Sequence, residues 1–193
     1  MKPLETMHID TDMQRDAALN AWSSPIAKKW KDKLTYKNYE EMIEEGWDDQ
    51  AFMCNDYCAN LAEICTAEIL DTKWEPSSGP RSWDVRKDGV FYSVKSIYDP
   101  YRYKVYFPYG HASYRYETEN HPDSPTPCEG VWFWEFKGVG GYELDALCWG
   151  MHDPKVCYEL VEDFGRRNQW QGIKQKSIKE MSNESTKQVH ASY

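Results

Sequence analysis

The chain has 193 residues and sets 32 acids against 23 lysines and arginines, and its formal net charge of −9 argues against direct nucleic-acid binding. Its mean hydropathy of −0.83 suits a disordered chain, but fourteen Tyr and nine Trp do not, because each can bury a large apolar area. No apolar run approaches membrane-spanning length and the opening MKPLETMHIDTDMQRD lacks a signal-like apolar core, so a cytoplasmic protein with no membrane contact and with mostly reduced thiols is expected.

The length suits one domain with a buried core. Its first part, over 11–71, reads as helical. Asp12 to Trp22 is a short helix candidate, and Ser24-Pro25 supplies an N-cap and first-turn pair for IAKKWKDKL. TYKNYEEMIEEG follows, stopped by Gly46. From about Asp49 to Leu70 the chain places Cys54, Tyr57, Cys58, Leu61, Ile64 and Cys65 on one stripe, with Asp49, Asp56 and Glu63 opposite.

Between 81 and 149 the period changes to two. SWDVR, Lys87-Asp88-Gly89 and VFYSVKSIY form a hairpin signal, since Asp-Gly accepts the positive φ of a tight turn. YKVYF, ASYRYET, VWFWEFK and YELDALCW complete five to six short strands, expected as an antiparallel meander. Alternation in VWFWEFK puts Trp132, Trp134 and Phe136 on one face and Val131, Phe133, Glu135 and Lys137 on the other. Tyr101, Tyr103, Tyr109, Tyr114 and Tyr116 add either core or an exposed aromatic rim. Asp153-Pro154 opens a closing helix over 154–164, with Cys157, Leu160, Val161 and Phe164 on its stripe. Residues 171–193 read as a polar tail, with one further helix feasible from Ile173 to Met181. The expected fold is therefore a single α+β domain over 1–170, a helical layer packed on the meander.

The main functional signal is charge. Residues 38–72 contain no lysine or arginine and ten acids: Glu40, Glu41, Glu44, Glu45, Asp48, Asp49, Asp56, Glu63, Glu68 and Asp71. Glu40, Glu41, Glu44 and Glu45 share one helix face, where like charges four apart repel by a few tenths of a kcal/mol. A docking face for a basic partner, imitating nucleic acid, accounts for that cost; an ordinary solvated face is the plainer alternative. Lys28, Lys29, Lys31, Lys33 and Lys37 around Trp30 and Tyr36 could hold single-stranded nucleic acid, but they also neutralise the neighbouring acids. Glu68 differs from the other acids: its helical angle turns it toward the apolar stripe.

Pro122-Asp123 followed by Glu135-Phe136-Lys137 resembles the PD-(D/E)xK nuclease signature over about sixteen residues. The resemblance implies Mg²⁺ held by Asp123 and Glu135, with Lys137 orienting the attacking water. Asp123, however, falls in a proline-rich loop rather than at a strand start. Cys148, His152 and Cys157, with Cys128 or His121, could form a mixed zinc site, although no paired Cys-x2-Cys spacing supports it. Cys54, Cys58 and Cys65 fit a helix core equally well. No Gly-x-Ser-x-Gly elbow is present, and His111, His121 and His152 have no Ser or Cys partner by spacing.

These readings converge on a non-enzymatic binding protein without a cofactor. Its partner-binding residues are Glu40, Glu41, Glu44, Glu45, Asp48, Asp49, Asp56 and Glu63. The expected partner is a basic protein, such as a nuclease or other nucleic-acid-binding complex, and the expected role is inhibitory, of an immunity or anti-defence type. The alternatives are the Mg²⁺-dependent nuclease and an accessory protein without an active site.

Overall fold

Apolar side chains at Met7 and Ile9, alternating with polar neighbours, suit a strand with one buried face, and residues Glu5–Ile9 form β1. The computed structural model describes residues 3–23, 51–76, 84–97, 104–106, 128–137, 144–160, 162–163 and 171–190. Strand β1 precedes the segment 11–71 read as helical and is an element that the sequence reading did not include. Helix α1 (Thr11–Trp22) follows, capped by the Asp10 carboxylate, which accepts from the Met13 backbone N–H at 2.8 Å. The expected helices between Pro25 and Gly46 lie outside the described residues, as do Tyr101, Tyr103, Tyr109, Tyr114 and Tyr116.

Helix α2 (Ala51–Ile69) realises the long helical segment. Tyr57, Cys58, Leu61, Ile64 and Cys65 of the expected stripe are buried, and so are Asn60, Ala62, Thr66 and Ala67. The Cys54 side chain is outside the described set. Small residues make this close packing possible: Ala17, Ala18 and Ala21 of α1 are buried beside Cys58 and Ala62. Polar groups in the seam find partners. Asn20 donates to the Asn60 side-chain oxygen at 3.0 Å, and Asn60 donates to the Ala17 carbonyl at 3.1 Å. Buried Gln14 donates to the Ile9 carbonyl at 3.3 Å.

The end of α2 overturns one expectation. Glu68 is exposed, not turned into the core. The helix closes there with Thr72 N–H bonded to the Ala67 carbonyl and Asp71 N–H to the Glu68 carbonyl, while Asp71 adopts φ 50°. This Schellman closure ends the helical course one residue beyond Glu68, at Ile69, and Glu68 stands at the rim.

Strands β2 (Val85–Lys87) and β3 (Val90–Ile97) form the expected hairpin, with Lys87 opposite Val90. Its two turn residues, Asp88 and Gly89, have φ 50° and 83°, the positive pair of a type I′ turn. The short β4 (Lys104–Tyr106) comes next, then β5 (Gly130–Lys137) and β6 (Leu144–His152). The main sheet has the order β1-β6-β5-β3-β2. It is mixed and not an antiparallel meander, because β3 and β5 run parallel from Tyr92/Gly130 to Ile97/Glu135. Parallel neighbours need a long connection rather than a tight turn, and β4 falls in the chain between these two strands.

The C-terminal part also departs from expectation. Helix α3 (Pro154–Glu159) is shorter than 154–164, although its Asp153 cap accepts from the Lys155 N–H at 2.7 Å as the sequence suggests. Glu162–Asp163 form β7 instead, paired with β8 (Gln171–Lys174) in a second sheet of order β4-β8-β7. Helix α4 (Gln175–His190) then covers the place assigned to a polar tail. Ile173 and Ile178 are fully buried, so the packed region extends past residue 170.

The alternation in β5 divides two cores. Trp134 and Phe136, with Trp132 packed beside them, join α1, α2, Ile9 and Val85 on one face. Val131 and Phe133 join Cys128, Trp149, Cys157, Ile173 and Ile178 on the other. The main sheet is thus buried on both sides along β5, which explains its nearly continuous apolar sequence.

Candidate functional site

Strand β6 contains a glycine, Gly150, at φ 94°. Around it the β5–β6 register slips: Trp132 faces Met151 while Trp134 faces Cys148, so three residues of β6 span two of β5. Such a bulge bends the strand and changes which face the following residues address. Cys148 belongs to the α1/α2 core, Trp149 to the opposite core, and past the bulge His152 sits on the Trp149 side, its ring 5.9 Å from that of Phe133. Under unbroken alternation His152, four residues beyond Cys148, would share the face of Cys148.

The Trp149 carbonyl at the bulge collects two side chains. The His152 Nε2 lies 3.0 Å from it, and the Ser182 hydroxyl of α4 also contacts it. Ser182 Oγ stands 3.3 Å from His152 Nε2 and 2.9 Å from the Ile178 carbonyl. A carbonyl only accepts, so the imidazole carries its proton on Nε2. Burial pushes the His152 pKa below its ordinary value, and the hydrogen bond to Trp149 opposes that shift. The ring is therefore a neutral donor toward the carbonyl. With Nε2 protonated it offers Ser182 no lone pair, so the pair is a packing contact between β6 and α4 and not an activated nucleophile.

Beside it lies a charged contact. The Glu135 carboxylate of β5 accepts from the Trp149 indole N–H at 2.9 Å and pairs with Lys179 Nζ of α4 at 2.8 Å. Lys179 also sits 4.9 Å above the Trp149 ring. The Glu135 and Lys179 side chains are each 21% exposed, which places the pair at the rim of the second core.

The nuclease-like string is divided by this geometry. Glu135 faces α4, Lys137 is exposed at the strand end, and Asp123 lies outside the described residues. The zinc candidates separate as well. Cys128 and Cys157 belong to the second core with His152 near Phe133, while Cys148 points into the first, where the Gly150 N–H approaches its sulfur at 3.4 Å. Among the described residues no group of three His, Cys, Asp or Glu side chains is placed to hold a metal ion. Burial pushes the Cys148 thiol to about 11 and that of Cys157 to about 12, as suits inert core thiols. His121 is outside the described residues.

Of the acidic run, Glu40, Glu41, Glu44, Glu45 and Asp48 lie outside the described residues, as does Asp49. Asp56 is half-buried, and so is Glu63, whose carboxylate accepts from the Trp74 indole N–H at 2.9 Å. Glu68 and Asp71 are exposed and line, with Thr72 and Lys73, an open polar depression of about 260 Å³.

Sequence reasoning missed Ser182 and Lys179, because both lie in the segment taken for a tail. Gly150 inside an otherwise regular strand pattern was the available signal for the bulge. No protein-family model, curated protein or solved structure matches this chain.

Proposed function

We propose that this protein is a non-enzymatic binding protein that docks an acidic helical surface onto a basic, nucleic-acid-binding protein and so inhibits or regulates it. The observation that carries the reading is the run of ten acids without a lysine or arginine over residues 38–72. Such a one-signed field attracts basic partners and repels nucleic acid. Further support comes from how the other ionisable groups are used. Glu135 is bound to Lys179 and Trp149, His152 to the Trp149 carbonyl, and Asp84 to the Val94 N–H at 2.7 Å and the Ser93 hydroxyl at 3.2 Å. Each of these contacts holds the fold together. The Mg²⁺-dependent nuclease has less support, since the carboxylate it needs on Glu135 already neutralises a lysine.

The test is affinity capture from the native host with three chains, partners being identified by mass spectrometry. One is wild type, one carries Glu40→Lys, Glu41→Lys, Glu44→Lys and Glu45→Lys, and one carries Asp16→Lys, Glu129→Lys, Asp145→Lys and Glu159→Lys. The last four are exposed positions elsewhere, and both variants have the same net charge. A basic protein held by wild type and by the second variant, lost from the first and released by salt, is the expected result. Equal capture by all three chains at low salt refutes the reading.

A further inference from the structure

The contact between His152 and Ser182 joins a strand that is fixed in the middle of a sheet to a helix on its surface. Strand β6 is bonded on both sides, by β1 and β5, and cannot leave without unfolding the sheet. Helix α4 has no such constraint. Among the described residues it is fastened to the β5–β6 face by buried Ile178, by Met181 packed against that core, by Ser182 and by the Lys179–Glu135 pair. When it lifts, the imidazole beneath it gains water.

We infer that α4 is an acid-released clasp over the β5–β6 face, with His152 as its trigger. His152 is 6% exposed, with Phe133 against its ring and its Nε2 committed to the Trp149 carbonyl. A second proton puts a full charge into that apolar setting, and opening α4 relieves the cost by rehydrating the ring. The ionisable groups on the same face are Glu135 on β5, Lys179 on α4, Lys95 on β3, Asp153 and Cys157 at α3, and Cys128 before β5. What acts on the imidazole is burial and the Trp149 carbonyl, not a neighbouring charge.

The sign follows by linkage. The closed form disfavours the proton that the open form accepts near the ordinary value of 6.5. Closure is therefore at full strength above that pH and weakens as pH falls through it, until the closed form also protonates. Within the window one proton accompanies each opening, so the opening constant rises by at most about tenfold per pH unit.

Hydrogen exchange of the full chain between about pH 7.5 and 5, corrected for intrinsic exchange, tests this. Amides of α4 are expected to lose protection below about pH 6.5 while those of α2 hold. His152→Gln keeps an amide N–H for the Trp149 carbonyl and removes the titration, so its α4 should exchange independently of pH in that window. Constant protection of α4 in wild type overturns the inference. So does parallel loss in α2 and α4, which marks global unfolding, or an unchanged pH slope in the variant. If the variant does not fold, the wild-type comparison of α4 with α2 decides by itself.

Discussion

The two faces of the main sheet solve the same burial problem with different materials. On the α1/α2 face, small and apolar side chains pack closely, and the buried polar side chains Gln14, Asn60 and Thr66 are neutral groups hydrogen-bonded within the core. Trp134, fully buried, donates to Thr66 Oγ1 at 2.9 Å, and Thr66 donates to the Ala62 carbonyl at 2.8 Å. On the α3/α4 face the core is joined by an imidazole, a carboxylate and an ammonium group. The buried amides and hydroxyls of the first face do not titrate, whereas the second includes His152, whose burial disfavours its protonated form. Stability and responsiveness are thereby separated across one sheet.

The largest effect should come from the first face. Trp134→Ala removes a fully buried indole and leaves Thr66 without its donor, which should cost about 3–5 kcal/mol. Urea unfolding followed by circular dichroism measures it, and a loss under about 1 kcal/mol would contradict the assignment of α2 and β5 to one tight core. Next comes the bulge that sets up the second face. Gly150→Ala forces a side chain into φ 94° with its Cβ 2.7 Å from Leu4 Cδ1, a strain of about 1–3 kcal/mol. Equal stability of the variant in the same denaturation would mean that the bulge is not held in this form. The smallest change is at the rim. Lys179→Met leaves Glu135 with the Trp149 indole alone and should weaken α4 by about 0.5–1 kcal/mol, a modest figure because the pair is partly hydrated. Its readout is differential alkylation at pH 8: Cys157 on the second face should react faster than in wild type, while Cys65 on the first does not change. Both thiols are raised by burial, so labelling reports opening of the face that covers each. Acceleration at both cysteines would erase the distinction between the faces.

Local patterns were enough for several features. Asp-Gly between two apolar alternations specified the hairpin and its turn, and Asp153-Pro154 specified the start of α3. The alternation of VWFWEFK assigned Trp134 and Phe136 to one face and Val131 and Phe133 to the other, and the two cores respect it. Helical period in 49–70 located α2 within two residues at its start and one at its end. Each of these depends on neighbours in the chain, where geometry is short-ranged and steric.

Partner choice lay beyond that range. Nothing within ETMHI announces that β1 will pair with β6, or within VFYSVKSIY that β3 will lie parallel to β5. Glu68 was misplaced because a helical angle gives direction and not what stands in that direction. QGIKQKSIKEMS has too few apolar residues to announce burial, yet Ile173 and Ile178 are sealed by Phe133 and Trp149 from strands far earlier in the chain. The acidic run of 38–72 is a property of the sequence itself, because charge survives any folding. That Glu135 meets Lys179, and that His152 meets Ser182 across a bulge, was decided by tertiary structure alone, since a hydrogen bond needs two groups within about 3 Å and only the assembled fold controls that distance.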